Sequence, residues 1–529
     1  MSDIERPIDL SKNNALESGS KIIIGESFSG AAGSIGVPGE ANVPLVPAAP
    51  AHGRKAAANA VYLIGAFGLM QVIRFGANIL FARVLQPEAF GIMVLVNVLI
   101  QGLHMLSDAG VWICVVQSSR GEDPKFLQTA WTVQVVRGLY LWLASFVIAW
   151  PAARFYQEWQ LLYFVPIVGV TSLISGFNSV SMFLQNRRLA LFRLAAIEVM
   201  AYAIPTGVAL IIIQYQPTVW VLVFSALGSS LVQFASSHLL LPPSQHRFRW
   251  DPESVKELLG FGRWVFVSTF FTFLATQADR LIVGAATSVA KLGIYNIAAM
   301  FASAPTVMLS TLANNLMIPY YSRLRHTSPN ALALMSRAHT LAGILAWSMA
   351  ALLVVASQDV IDLLYRGPYE EAGLMAPVIA IVAWFQMLQA LGGAILFAHG
   401  KVQLSALINV LKLLALVVFV PIGLHLGGLE GLLWAFAVAE FTRYTSTVYV
   451  VRRVGMHLWR SDLILTMLLG LVFAASALDL LSRVAPVECL RRLLSDHAAW
   501  TRTHDRDKHI SRLLLETFSV GMASSLVLA

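Results

Sequence analysis

Three basic side chains, Arg74, Arg137 and Lys412, sit inside long apolar stretches that offer no carboxylate of their own to balance them. An ionisable group in hydrocarbon is costly unless it faces water, a cavity or a partner. At helical spacing Gln71, Arg74 and Asn78 share one face, as do Asn97, Gln101, His104 and Asp108, and again Ser405, Asn409 and Lys412. Gln134 accompanies Arg137, and Thr269, Thr272 and Thr276 run toward Asp279-Arg280. Cationic groups along a wet path suit an anion such as a phosphate. The plainer alternative for each is a structural ion pair or a snorkelling side chain, most of all for Asp279-Arg280 near the outer end of its stretch. Glu440 and Arg443 are three residues apart and expected to satisfy each other, and Glu198 to neutralise Arg193. His104 reads more readily as a satisfied polar group than as a proton relay.

The elements that must position these residues are membrane helices. The chain has 529 residues, 57% hydrophobic and 12% charged, with a mean hydropathy of +0.69, outside the range of soluble domains. The net charge of +8 lies mostly in short loops, which assigns it to topology and not to a nucleic-acid partner. Cys114 and Cys489 form no disulfide framework or zinc spacing, and no phosphate-loop, dinucleotide or HExxH motif is present, so no cofactor or metal is expected.

Residues 1–55, rich in Ser, Gly, Ala and Pro, read as a disordered cytoplasmic tail without a signal peptide. A first series of spans covers 57–81, 90–117, 129–152, 161–185, 190–214 and 217–241, making an N-terminal six-helix half over 56–241. A polar linker, 242–260, leads to a second half over 261–452, with spans 262–286, 292–319, 333–356, 375–398, 402–424 and 428–451. A further span, 462–482, opens the basic region 453–529. Pro166, Pro205, Pro305, Pro377 and Pro421 interrupt the apolar runs and are candidate bends. With the N-terminus inside, Arg187-Arg188, Arg247, Arg249, Arg323, Arg325 and Arg452-Arg453 fall in inner loops, while the outer loops hold only Arg83, Arg154, Lys291 and Arg366. The tail breaks this rule, since thirteen spans leave Arg491, Arg492 and Arg502 outside, and a weak fourteenth span at 513–529 does not cure the conflict.

The two series repeat. Leu85-Gln86-Pro87-Glu88-Ala89-Phe90-Gly91 precedes the second span and Lys291-Leu292-Gly293-Ile294-Tyr295 the eighth. Basic inner turns, Gln185-Asn186-Arg187-Arg188 and His399-Gly400-Lys401-Val402-Gln403, follow about a hundred residues later. Six spans separate matched elements, so the halves are parallel repeats with a site between them. The expected fold is an all-α integral membrane protein of 12–14 transmembrane helices, in two parallel six-helix halves around a central cavity.

The Leu85-x-Pro87-Glu88-x-Phe90-Gly91 turn, Asp108-Ala109-Gly110, Asp279-Arg280-Leu281-Ile282-Val283-Gly284 and Leu292-Gly293-Ile294-Tyr295 resemble the polysaccharide transport family. Its members include the Wzx-type flippases of the multidrug/oligosaccharidyl-lipid/polysaccharide exporter superfamily. The likeness covers residues 57 to 460. It implies a non-enzymatic, multi-pass protein of the bacterial inner membrane with a cytoplasmic N-terminus. Such a protein moves undecaprenyl-pyrophosphate-linked repeat units by alternating access, for exopolysaccharide, capsule or O-antigen assembly. Membrane lipid and the pathway's polymerase and export proteins are its expected partners. Arg74, Arg137, Arg280 and Lys412 become candidates for binding the pyrophosphate. Asp108 and Glu198 become candidates for coupling or gating, among the polar cavity residues Gln71, Asn78, Gln101, Gln134, Asp279 and Asn409. A cation-coupled drug antiporter would favour cavity carboxylates, and a glycan polymerase or ligase a larger outer loop than 357–374, whose Asp359, Asp362, Glu370 and Glu371 read better as a solvated acidic loop.

Overall fold

The computed structural model describes residues 53–107, 111, 114, 115, 118, 120–187, 191–244, 246–327, 330–365 and 367–484. The readings made for residues 1–52, for Asp108-Ala109-Gly110 and for the tail beyond residue 484 therefore lie outside the described residues. The helices, in chain order, are α1 (Gly53–Ala82), α2 (Pro87–Leu106), α3 (Pro124–Tyr156), α4 (Leu161–Gly176), α5 (Ser181–Arg187), α6 (Leu191–Ile212) and α7 (Val219–Leu239). They continue with α8 (Pro252–Ala286), α9 (Val289–Leu312), α10 (Ile318–Thr327), α11 (Ala331–Leu364), α12 (Glu370–Ala398), α13 (Val402–Arg452) and α14 (Trp459–Val484). A π turn, Ala313–Met317, links α9 to α10. The chain divides into two units, Met1–Leu469 and Gly470–Ala529.

Start signals are legible at several helices. Pro87, Pro124 and Pro252 sit at first-turn positions, where their missing N–H costs nothing. Asp123, Asp251 and Ser288 each cap the helix that follows by accepting a backbone N–H. All five proline bends expected from the sequence fall inside helices.

Among the described residues nine helices are long and apolar enough to cross a membrane, and α4 and part of α1 are shorter apolar helices. The protein is an all-α membrane protein. Spans 402–424 and 428–451 form one continuous run in α13, broken only by the non-helical Gly427 and Gly428, the latter at φ +55°. Only a residue without a Cβ adopts that conformation freely, so the glycine pair sets the hairpin between the two spans. Span 161–185 is split instead into α4 and the short α5.

Helices α2, α9 and α12 form the centre: 78% of the α2 span is covered by other helices, and 61% of α9 and α12. Leu95, Val96, Leu292, Ile297, Ala298 and Ala372 are buried there. A Cβ on Gly91 would lie 1.8 Å from the Val289 carbonyl oxygen, and one on Gly293 2.0 Å from that of Pro87. Small residues let the two backbones touch. At the same end, Tyr156 donates to the Leu281 carbonyl at 3.4 Å and Tyr369 to the Leu85 carbonyl at 2.9 Å.

Candidate functional site

A cavity of about 120 Å³ opens among α1, α2, α6, α7, α8 and α9. Asn78, Asn97, Tyr202, Ser225, Ser229 and Arg280 supply most of its polar lining, and Phe81, Phe90, Met93 and Leu222 part of its apolar wall. The polar face expected on α1 points this way. Asn78 donates to the Arg74 carbonyl at 2.9 Å, Gln71 is half-buried one turn earlier, and the Arg74 guanidinium lies within electrostatic reach of Tyr202 and Arg280. Its Nε and Nη2 are buried without a hydrogen-bond partner among the described residues. Arg280 donates from Nη1 to Gln277 Oε1 at 2.6 Å, and Gln277 Nε2 donates to Gln101 Oε1 at 2.8 Å. This relay ties α8 to α2 and aims Arg280 at the cavity. Asp279 faces another partner: its Oδ2 accepts from Tyr295 at 2.8 Å, and its Oδ1 is buried without one.

The remaining candidate cations lie elsewhere. Lys412 donates to the Ala275 carbonyl and sits 2.5 Å from Glu440 Oε1, with Lys412 7% and Glu440 1% exposed. Glu440 also accepts from Gln386 at 3.0 Å and from Arg443 at 3.5 Å. The spacing argument pairs Arg443 with Glu440 correctly, but it misses Lys412, because that contact crosses the Gly427-Gly428 break. Asn409 is buried one turn away, its Oδ1 unpartnered. Arg137 closes the C-terminal end of α2, donating to Ser107 Oγ and to the His104 carbonyl, both at 2.9 Å. His104 itself bonds Ser172 at 2.7 Å, the satisfied role expected of it. Gln134 donates to the Ser175 carbonyl at 2.9 Å. Glu198 and Arg193 share α6, but Glu198 is half-buried and Arg193 exposed, and no ion pair joins them among the described residues. The expectation that Arg193 neutralises Glu198 is thus corrected: the two point to different faces.

Sequence reasoning missed Gln277, Tyr202, Ser225 and Ser229. Gln277 had a signal, three residues before Arg280 in an apolar run. The other three are ordinary helix residues until α6 and α7 are folded onto α1.

Of the acidic loop residues, Glu371 pairs with Lys291 and Glu370 accepts from the Gly367 N–H at 3.3 Å. At the other end of the helices Arg120 lies 3.7 Å from each of Asp123, Asp251 and Glu257, joining the loop before α3 to the start of α8. Hydrogen bonds from Ser254, with Arg120 and Arg249 nearby, hold the Asp251 carboxyl below its usual range. In the same linker burial lowers the His246 pKa, and the neighbouring His238 lowers it further.

The sequence profile of a family described as "Polysaccharide biosynthesis protein" matches residues 80–374. The chain is 20% identical over 410 residues to the lipopolysaccharide biosynthesis protein WzxC of Escherichia coli (strain K12), covering 75% of this chain and 80% of that one. It is 21% identical over 349 residues to the teichuronic acid biosynthesis protein TuaB of Bacillus subtilis (strain 168), covering 64% and 71%. Among solved structures, the lipid II flippase MurJ in an inward closed conformation superposes with a TM-score of 0.59 at 12% identity, over 80% of this chain and 99% of that one. An inward-facing multidrug transporter of the MATE family superposes with a TM-score of 0.56 at 13% identity, over 75% and 95%. At such identities the two structures speak for the fold alone.

Proposed function

The chain belongs to the polysaccharide biosynthesis protein family, and from that premise we propose that it is a transporter, not an enzyme, that flips an undecaprenyl-pyrophosphate-linked oligosaccharide across the inner membrane. The observation that carries the reading is Arg74: a guanidinium with two buried, unpartnered N–H-bearing nitrogens beside Arg280 and a polar cavity. Like charges held close, neither of them ion-paired among the described residues, are costly, and a bound diphosphate relieves both. The side chains of Asn78, Asn97, Ser225 and Ser229 suit sugar hydroxyls.

A cavity of about 120 Å³ suits a small anion and not an oligosaccharide, so loading requires the helices to part. In this reading the N-terminus is cytoplasmic, the Gly91/Gly293 end faces outward, and the two six-helix halves rock about that contact. Arg74 and Arg280 take the anion. Lys412, neutralised by Glu440, and Arg137, engaged at the end of α2, hold the helices that frame it. Gln71 and Gln101 complete the polar surround, Gln134, Asp279 and Asn409 stand at the helix contacts beside it, and Asp108 and Glu198 remain the proposed coupling groups.

The test is polymer export in cells carrying Arg74→Gln or Arg280→Gln. Each variant is expected to lose export at normal protein abundance. Full export by the double variant sinks the assignment.

A further inference from the structure

Away from the cavity, α11, α13 and α14 meet at three buried polar side chains. His339 is 0% exposed and Asp462 1%. His339 Nε2 lies 3.1 and 3.2 Å from the two Asp462 oxygens. Tyr444 donates to Asp462 Oδ2 at 2.6 Å, and Ser461 to Oδ1 at 3.3 Å. Asp462 occupies the first turn of α14, where the helix dipole favours a carboxylate. With Nε2 committed as donor to Asp462, the other ring nitrogen decides the charge. His339 Nδ1 is buried and has no hydrogen-bond partner among the described residues.

We propose that His339, Asp462 and Tyr444 form a proton-binding site that couples the conformational cycle to pH, with His339 Nδ1 taking up the proton. When Nδ1 is a bare acceptor the cluster carries one negative charge, and when it carries a proton the charge is zero. Exchange of that proton changes the buried charge by one unit where three helices join. An orphaned nitrogen in a sealed site also points to a second arrangement in which it gains a partner or water.

Neighbouring groups have partners of their own or face away: Arg443 beside Tyr444 pairs with Glu440, and Arg460 lies over the Trp459 ring. Tyr321 of α10 bonds the Met335 carbonyl at 3.4 Å, Arg337 of α11 is exposed, and from α12 Trp384 donates to Thr466, whose hydroxyl returns to the Asp462 carbonyl. The cluster connects to the cavity through α13 and α8, joined by the Lys412 contacts. Tyr444 is one turn from Glu440, Glu440 holds Lys412, Lys412 reaches the Ala275 carbonyl, and Ala275 lies on α8 with Gln277 and Arg280. A change in the seat of α13 therefore reaches the anion-binding arginine.

The proposal rests on the alternating-access reading, and one experiment separates the two. The full chain, with Cys114→Ser and Cys489→Ser, carries spin labels at the exposed Leu239→Cys and Tyr320→Cys, at the end of the bundle away from the Gly91/Gly293 contact, in lipid nanodiscs. Distance distributions are recorded from pH 6 to pH 8, with pH as the only variable. One coupled proton permits up to about tenfold per pH unit in the ratio of two states, and a several-fold shift is expected. His339→Gln and Asp462→Asn should each flatten it, while Tyr444→Phe keeps a response with a displaced midpoint. A merely structural cluster would lower the melting temperature of these variants and leave the pH response intact, which overturns the proposal. Two populations whose ratio ignores pH in the unmodified cluster overturn it as well, without any variant having to fold. A single population at every pH overturns it and removes support from alternating access too.

Discussion

Gly91 and Gly293 stand in reciprocal contact: each glycine faces the carbonyl of the residue four positions before the other, Val289 and Pro87, at 1.8 and 2.0 Å from an added Cβ. The turns that repeat in the sequence are thus the segments that touch in space, and each supplies the gap the other fills. Because the obstructing atoms are backbone, no side chain can swing aside. Gly91→Ala or Gly293→Ala is expected to cost about 1–3 kcal/mol, as overpacking does, and to loosen this end of the bundle. The double variant should cost less than the sum, since the first substitution already parts the helices. Thermal unfolding of the four proteins in detergent checks this, and additive effects would show that the contacts are independent.

Lys412 and Glu440 form a buried pair that is asymmetric in its support. Removing one partner of a buried pair typically costs about 3–5 kcal/mol, whereas replacing both with apolar groups is often neutral. Glu440→Met strands both Lys412 and Arg443, while Lys412→Met leaves Glu440 with Arg443 and Gln386. The expected order of stability is therefore wild type first, then Lys412→Met and the double Met variant, which strands only Arg443, and last Glu440→Met, which strands two cations. Melting temperatures in detergent give the order directly, and a double variant weaker than Glu440→Met would contradict it.

Arg74 and Arg137 test stability against function. Arg137→Gln removes two hydrogen bonds to the end of α2 and should lower stability by about 1–3 kcal/mol. Arg74→Gln removes a guanidinium with unsatisfied nitrogens and should leave stability unchanged or raised while export is lost. Melting and export measured on both variants separate the roles. Equal loss of stability in the two would mean that Arg74 is structural.

In sequence those two arginines are indistinguishable, each alone in an apolar run with a glutamine three residues before it. Composition and periodicity suffice for the membrane class and most helix starts, because these depend on local pattern. What decides a cation's role is which side chains fold onto it: Ser107 for Arg137, Glu440 for Lys412, Tyr202 and Arg280 for Arg74. Such partners lie 28 to 30 residues away, or, for Gln277 and Gln101, 176 residues away. The His339–Asp462 contact spans 123 residues and joins the second series to a span outside the repeat, so no periodicity signals it.

The linker before α8 offers a pH dependence outside the membrane spans. His246 is held mainly by burial, and then by His238 at a ring distance of 4.9 Å, in a state that resists protonation. Its folded pKa is thus below the ordinary value of about 6.5, so the unfolded linker binds more protons in the interval between them. Stability contributed by neutral His246 is full above about pH 6.5 and falls as the pH drops toward the folded value. Asp251 adds a second step with the same sign. Its carboxyl is depressed by the Ser254 hydrogen bonds, so its contribution is present above the unfolded carboxylate value and lost only as the pH falls through the lower folded one. Hydrogen exchange of residues 246–251 is therefore expected to quicken first just below pH 6.5 and again in strong acid. His246→Asn should abolish the first step and spare the second. A linker whose protection, corrected for intrinsic exchange, is flat from pH 7.5 to 5 in the wild type would mean that the His238–His246 contact does not hold it.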